Sequence, residues 1–459
     1  MAAVKPTQLE MIMAHPTFEH ARDLAHQIMR AALVAVDPAQ AVHNALRLDD
    51  ERLHIGDMTY NLSRYRRILV VGAGKASAPM ARAVEEVLGD RITDGLVNVK
   101  YGYTDRTQRI RLHEAGHPLP DQSGLEGTRQ IVELLANAGE DDLIVCLISG
   151  GGSALMMLPE ESISLADYQE LTNLMLRSGA TINKINTVRK HIERVKGGRL
   201  AQAAAPAAVA TLILSDVVGN PLDFIASGPT VPDTTTFADA IAVLEEFDLL
   251  NSVPVSVRQW LEQGQRGKVP ETPKPGDPLF ERVSTVVIGS NDIAAEAALA
   301  EARRLGFSAM LLTTFLEGEA RDAGKFAAAL AKELVHRGNP VATPACLILG
   351  GETTVTVKGS GKGGRNQEIA LSAAIAVRDL ERILIAALAT DGTDGPTDAA
   401  GGIVDGRTLV RAEADGLDAR AALSNNDSNA FLRDVGDLLV TGPTNTNVND
   451  LLFVFAFPA

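Results

Sequence analysis

Cations, carboxylates and glycines gather in two polar segments of the C-terminal third. The first is Gly350-Gly-Glu-Thr-Thr-Val-Thr-Val-Lys-Gly-Ser-Gly-Lys-Gly-Gly-Arg-Asn-Gln-Glu368, which sets glycine backbone beside Lys358, Lys362 and Arg365. Bare N–H groups flanked by cations are what an anionic oxygen cluster needs. The second, Ala389-Thr-Asp-Gly-Thr-Asp-Gly-Pro-Thr-Asp398, presents Asp391, Asp394 and Asp398. These are hard oxygen ligands of the kind Mg²⁺ takes, although Asp-Gly pairs also serve simple tight turns. A phosphate cradle beside a carboxylate cluster points to phosphoryl transfer.

The N-terminal half carries two more glycine turns. Gly72-Ala-Gly-Lys-Ala-Ser77 has the strand–turn–helix setting of a dinucleotide-binding loop. The next strand, however, ends in Asn98-Val-Lys-Tyr101, without the acid that would hold a ribose hydroxyl. Lys75 instead puts a cation at a helix mouth, where the dipole already favours anions, so it can hold a carboxylate or a transferring phosphoryl group. In Ser149-Gly-Gly-Gly-Ser153, the N–H groups of Gly150, Gly151 and Gly152 with the hydroxyls of Ser149 and Ser153 make an anion nest. The serines flank the glycines rather than standing between them, which argues against a nucleophile elbow. No Gly-x4-Gly-Lys-Ser/Thr sequence occurs, which excludes a P-loop NTPase. Asp216, ending an apolar run, is placed to bind a metal or to accept a hydroxyl proton; its plainer role is a helix cap. The stretch Asn186-Thr-Val-Arg-Lys-His191 is basic, with Arg189 a candidate substrate contact on a face that is otherwise solvated. His113, His117 and His191 lack metal-ligand spacing.

Groups so scattered need a scaffold, and strand and helix alternate almost throughout, which predicts α/β architecture with largely parallel sheets. A helical lead-in over residues 17–36 precedes strands at 67–71, 95–99, 142–148 and 209–214, with helices at 124–138 and 165–178 between them. Residues 264–278, rich in Gly, Pro and charge, predict a linker. Beyond it come strands at 283–288 and 308–313, helices at 292–305 and 320–337, apolar strands at 345–349 and 383–388, and a closing strand at 451–457. The 459 residues suit two domains, expected at 1–270 and 280–459 with the active site in the cleft between them. A formal charge of −15 without a basic tract argues against nucleic acid. The opening residues Met-Ala-Ala-Val-Lys-Pro are polar enough that no apolar leader is expected, and no bilayer-spanning run is expected either. Cys146 and Cys346 both lie in apolar runs and read as buried thiols. A cytoplasmic enzyme, monomer or homodimer, is the expectation.

In this order the motifs resemble the class II glycerate kinases, in which a Rossmann-like domain precedes a MOFRL domain. The resemblance spans nearly the whole chain. It rests on Gly72-Ala-Gly-Lys-Ala, Ser149-Gly-Gly-Gly-Ser-Ala-Leu, Ser215-Asp-Val-Val-Gly-Asn, Ala226-Ser-Gly-Pro-Thr, Gly350-Gly-Glu-Thr-Thr-Val, Gly363-Gly-Arg-Asn-Gln-Glu and Thr390-Asp-Gly-Thr-Asp-Gly-Pro-Thr-Asp-Ala-Ala-Gly. It implies two three-layer α/β/α domains and a kinase that uses ATP and Mg²⁺ to phosphorylate D-glycerate at the 2-hydroxyl. The family's active-site lysine falls on Lys75 and its motif arginine on Arg365, with Asp216 as the candidate base. Nucleotide contacts are expected at Glu352, Lys358, Gly361, Lys362, Gly363 and Asn366, and Mg²⁺ ligands among Asp216, Asp391 and Asp394. Both halves carry glycine loops, so the sequence does not assign the nucleotide to one domain. An NAD(P)H-dependent hydroxypyruvate reductase is the rival reading, and it needs Gly72-Ala-Gly as its nucleotide turn.

Overall fold

The computed structural model describes residues 18–458. Two compact units emerge. One comprises Pro38–Ile288, the other the described residues up to Asp37 together with those from Gly289 onward.

The Pro38–Ile288 unit opens with a small antiparallel sheet, β1 (Leu46–Asp49), β2 (Arg52–Ile55) and β3 (Met58–Asn61). Its main sheet has six strands: β4 (Arg67–Ala73), β5 (Ile92–Lys100), β6 (Ile110–Ala115), β7 (Asp142–Ile148), β8 (Ala208–Leu214) and β9 (Val283–Gly289). They lie in the order β6-β5-β4-β7-β8-β9, and β4 to β8 are parallel. Helices Ser77–Leu88 and Gln122–Leu135 make the early crossovers, as a parallel sheet requires. Every residue of β7 and β8 is buried, the mark of strands covered on both faces. Leu69, Val71, Ile144, Cys146, Val209 and Ile213 share one core, while Met157, Tyr168, Leu171, Phe237 and Leu261 close a separate helical one.

The expected linker at 264–278 is part of this unit. Thr272 Oγ1 donates to buried Asp233 at 2.9 Å, Asp233 N–H donates to Pro273 O at 2.9 Å, and Glu271 accepts the Phe237 N–H at 2.9 Å. Proline and glycine here specify irregular backbone that is nonetheless packed, and β9, expected to open the second domain, becomes the edge strand of the first sheet.

In the other unit, helix Phe18–Ala35 packs on helix Asn291–Arg304, so the lead-in belongs with the C-terminal half rather than with residues 38–288. Thr17, expected to start that helix, lies outside the described residues. Asp437 fixes the helix by accepting from Arg22, while also bonding Arg411 at 2.8 Å and Thr408 at 2.6 Å. The sheet comprises β10 (Ser308–Leu316), β11 (Ala345–Gly351), β12 (Ile383–Ala389), β13 (Gly401–Val404), β14 (Leu438–Leu439) and β15 (Asp450–Ala456), in the order β10-β11-β15-β12-β13-β14. Only β10 and β11 pair in parallel; β15 runs antiparallel between β11 and β12, and β13 and β14 continue antiparallel. The expectation of parallel sheets fails here because the loops entering β13 and β15 hold no crossover helix. No described helix is long and apolar enough to cross a membrane.

Candidate active site

In the Pro38–Ile288 unit the direction of strand succession reverses between β4 and β7. Ligands of open α/β sheets bind outside the carboxyl ends of the strands at such a switch point, and both glycine loops of this unit fall there. Gly72 and Gly74 are needed for protein contact. A Cβ on Gly72 would stand 2.0 Å from Leu147 O, and one on Gly74 would stand 2.0 Å from Ser149 Oγ. Lys75 N–H donates to Gly150 O at 2.9 Å, binding one loop to the other. Ser149 is wholly buried; its Oγ accepts the Ala76 N–H at 3.0 Å and lies 3.0 Å from Ser77 Oγ. It therefore clamps the two loops and does not face a ligand, contrary to its expected role in binding.

The next three glycines mark where functional groups meet. A Cβ on Gly150 would fall 2.1 Å from Asp216 Oδ2. On Gly151, whose φ is 84°, it would fall 3.0 Å from His117 Nε2 and 3.3 Å from Lys75 Cγ; on Gly152, 2.9 Å from Ala226 Cβ. A carboxylate, a lysine stem and an imidazole thus lie against adjacent positions that carry no side chain. Gly152 N–H is spent on Ser149 O at 3.1 Å, whereas the Gly150 and Gly151 N–H groups bond no other described residue. The anion nest expected over residues 149–153 narrows to these two.

A buried cation supports the loop from behind. Lys196, 1% exposed, donates to Ser153 O at 2.9 Å and Met156 O at 3.0 Å and pairs with buried Glu193 at 3.2 Å. Burial lowers the Lys196 pKa against the pull of Glu193. Ser153 Oγ meets Ser227 Oγ at 2.9 Å, and Ser227 donates to Asn186 at 3.0 Å. Ala226, Ser227 and Gly228 all hold positive φ, a strained run of the kind found at binding loops. Arg189 is half-buried, close enough to act on the charges of Lys196 and Tyr168, and its buried Nε has no hydrogen-bond partner among the described residues.

In the other unit, β15 starts between the carboxyl ends of β11 and β12, so Asp450 registers with both Gly351 and Ala389. Helix Arg365–Ala376 begins at the same edge. Arg365 grips Asp450 through Nε at 2.5 Å and Nη2 at 3.1 Å, and reaches Glu352 through Nη1 at 2.6 Å. Burial raises the Asp450 carboxyl pKa, and the Arg365 guanidinium pulls it back down. Three of the five guanidinium N–H groups are spent, leaving two for a ligand. Arg365 lines a cavity of about 660 Å³ with Thr353, Gly363, Glu368, Asp391 and Asn426.

The glycine loop beside this cavity is not a bare cradle. Asn426 Oδ1 accepts the N–H groups of Lys358 and Gly359 at 2.8 and 2.9 Å, Asn425 O accepts that of Gly361 at 3.0 Å, and Asp427 that of Lys362 at 3.0 Å. Cβ atoms on Gly361 and Gly363 would meet Asp427 and Ser428 at 2.4 and 2.1 Å. These glycines admit the 425–428 segment. Lys358 and Lys362 are exposed, and Asn366 is buried with its N–H on Asp394 at 3.2 Å. The three aspartates also part company. Asp394 spends its carboxylate on the N–H groups of Asn366 and Gln367 and on the Gln367 amide, capping the helix. Asp398 pairs with Arg433 at 3.1 Å, and Asp391 accepts the Thr393 N–H at 2.9 Å while lining the cavity. Among the described residues no group of three or more His, Cys, Asp or Glu side chains is arranged to hold a metal. Asp394 does not fit that task, because its oxygens are spent; Asp391 at the cavity and Asp216 beside Gly150 stay candidates, each within its own unit, since Mg²⁺ at a kinase site needs only one or two carboxylates beside substrate phosphates.

Residues 24–262 match a domain of unknown function (DUF4147), and residues 345–450 match the MOFRL family. The chain is 48% identical over 432 residues to a glycerate 2-kinase of Pyrococcus horikoshii, covering 94% of this chain and 96% of the relative. It is 45% identical over 435 residues to a D-glycerate 2-kinase of Thermotoga maritima, covering 95% and 98%. The crystal structure of a glycerate kinase from Thermotoga maritima superposes with a TM-score of 0.86 at 44% identity, covering 95% of this chain and all of that one. This chain belongs to the class II glycerate kinase family.

In this glycerate kinase, two residues of the candidate site escape sequence reasoning. His117 follows Gly116 in a loop with no local signature, and Asp450 precedes an apolar strand whose neighbours are not readable from the chain. The one available cue for Asp450 is its place as a lone acid at the mouth of Leu-Leu-Phe-Val-Phe.

Proposed function

We propose that this chain transfers the γ-phosphoryl group of ATP to the 2-hydroxyl of D-glycerate, giving 2-phosphoglycerate and ADP. It is a glycerate kinase. The observation that carries the finer reading is the meeting of Lys75 and Asp216 at Gly150 and Gly151, on the switch point of a parallel sheet.

Phosphoryl transfer asks little covalent chemistry of the protein; position and charge neutralisation carry the rate. Lys75 offsets charge on the transferring group, and the two free N–H groups of the Gly150–Gly151 turn add donors that need no reorganisation. Asp216 accepts the proton of the attacking hydroxyl, and Arg189 with Ser153 holds the acceptor's polar end. In the other unit the 660 Å³ cavity has the size for a nucleotide, with Glu352, Arg365, Gly361, Gly363 and Asp391 about it. The exposed Lys358 and Lys362 act as rim charges there. Mg²⁺ would supply charge neutralisation for the phosphates, and the carboxylate that would hold it is Asp391 beside the cavity or, in the other unit, Asp216 beside Gly150. Free, buried Cys146 and Cys346 agree with a reducing, cytoplasmic setting.

The reductase reading loses its footing at Gly72 and Gly74. Leu147 O of the paired strand lies against Gly72, and Ser149 Oγ fills the space at Gly74 where the backbone would have to approach a dinucleotide pyrophosphate. The buried Asn98 side chain donates to Leu155 O at 2.8 Å and supplies no ribose acid. Incubation with D-glycerate, ATP and Mg²⁺, followed by phosphorus NMR, tests the proposal. A 2-phosphoglycerate signal is expected; a 3-phosphoglycerate product overturns the regiochemistry, and NADH oxidation with hydroxypyruvate at a rival rate overturns the kinase.

A further inference from the structure

His117 stands out among the histidines near this site. His113 Nε2 bonds Ser123, at 2.8 Å to its carbonyl and 3.0 Å to its hydroxyl, and His191 Nδ1 bonds Thr187 O at 2.7 Å. Neither ring nitrogen of His117 has a hydrogen-bond partner among the described residues, although the ring is partly buried. It sits just past the carboxyl end of β6, on the sheet edge that carries the two glycine loops. Its ring lies over Gly151, with Nε2 at 3.0 Å and Cδ2 at 2.9 Å from the missing Cβ, and the Lys75 stem lies against the same glycine. The loop is anchored beneath. Asp121 accepts the Gly124 N–H at 2.9 Å and the Tyr101 hydroxyl at 2.8 Å, and the Gly116 N–H besides. An unspent ring on a fixed loop beside the reactive lysine has the placement of a ligand contact.

We propose that His117 is a substrate contact of the acceptor site, hydrogen-bonding the hydroxy acid over Gly151 and orienting it beside Lys75 without taking its proton. This rests on the glycerate kinase reading. The charges decide between orienter and base. Burial, then Lys75 and Lys100, hold the imidazole neutral, with its pKa pushed down to about 4. A neutral ring offers one donor and one acceptor. Proton capture would set a third cation beside two lysines, so the ring orients and Asp216 remains the base.

The test compares wild type, His117→Ala and His117→Asn, checked for folding by circular dichroism, in steady-state kinetics and in calorimetric titration with D-glycerate. Losing one hydrogen bond to the acceptor raises the glycerate KM and Kd about tenfold. The KM for ATP stays unchanged and kcat within about tenfold, and Asn recovers part of the loss. Unchanged glycerate KM and Kd in the alanine variant overturn the contact. A kcat collapse of about a thousandfold with unchanged KM overturns the orienting role in favour of proton transfer. Wild type that neither binds nor phosphorylates glycerate overturns the functional reading and this proposal with it; activity in wild type that persists unaltered in His117→Ala removes His117 alone.

Discussion

Arg365 and Asp450 form a two-point ion pair, Nε to Oδ2 at 2.5 Å and Nη2 to Oδ1 at 3.1 Å, that joins the first turn of a helix to the first residue of the central strand β15. The guanidinium plane is thereby fixed before any ligand arrives, with Glu352 on its third nitrogen. Asp450→Asn keeps the shape and removes the charge that orients the fork. Turnover is expected to fall at least about tenfold, since bidentate charge-assisted pairs are about twice as strong as neutral ones. Asp450→Glu should not rescue it, because the extra methylene has no space at a site 6% exposed. Unaltered kcat/KM in Asp450→Asn would separate the pair from catalysis.

Lys75→Ala should lower kcat about a hundredfold, the effect of one placed charge worth about 3 kcal/mol in the transition state. Its side chain has no ion pair among the described residues, so the melting temperature should shift by no more than a degree or two. Near wild-type turnover would remove Lys75 from the mechanism.

Gly150→Ala tests Asp216 without touching it. Gly150 does not need a positive φ, so the new methyl is tolerated by the backbone, and the nearest atoms it meets are those of the Asp216 carboxylate, 2.1 Å away. That short side chain must swing aside. The expected outcome is a kcat loss of about tenfold or more with intact circular dichroism, checked against Asp216→Ala, which should not add to it.

His117 should titrate near 4 in the folded protein. Its folded pKa lies below the unfolded 6.5, so the folded state binds fewer protons between those values. Stability from the neutral ring is present above pH 6.5 and is lost as pH falls toward 4. Lys75→Ala removes one of the two cations and should lift the pKa toward 6.5. Imidazole NMR shifts across pH 3–8 check both; a wild-type midpoint of 6 to 7 would refute the buried, lysine-flanked ring.

Asn426 accepts from Lys358 and Gly359 and donates to the buried Glu368 carboxylate at 2.6 Å. Asn426→Ala leaves these groups short of partners and should cost about 2–4 kcal/mol of stability, measured by urea denaturation. It should also loosen residues 357–364, read out as faster amide exchange there.

Much of the site was legible because its signals are local. An apolar run followed by glycines and a charge marks a strand, its carboxyl end and a loop, and that places Lys75, the 149–153 loop and Asp216 on one sheet edge. What escaped depends on distant partners. The N–H groups of residues 358–362 look free in sequence, but their acceptors lie 64 to 68 residues downstream. Asp394 looks like a metal ligand until helix Arg365–Ala376 turns its first N–H groups onto it. Residues 264–278 have linker composition, yet Asp233 and Phe237 hold them down. Composition reports backbone regularity; it does not report whether irregular backbone is packed.

The helix Phe18–Ala35 sets an order of events in the making of this protein. It is translated early, but the helix it packs on and the Asp437 that receives Arg22 emerge only after residues 38–288 have been made. The intervening unit has its sheet strands in hand by then and can fold as an insertion, while helix Phe18–Ala35 waits with an apolar face that includes Leu24, Ile28 and Ala32. The unit completed after residue 289 is therefore closed by a segment made before residue 38, and a ribosome-bound chain halted before residue 289 carries an unmatched hydrophobic stripe, a ready target for chaperone capture.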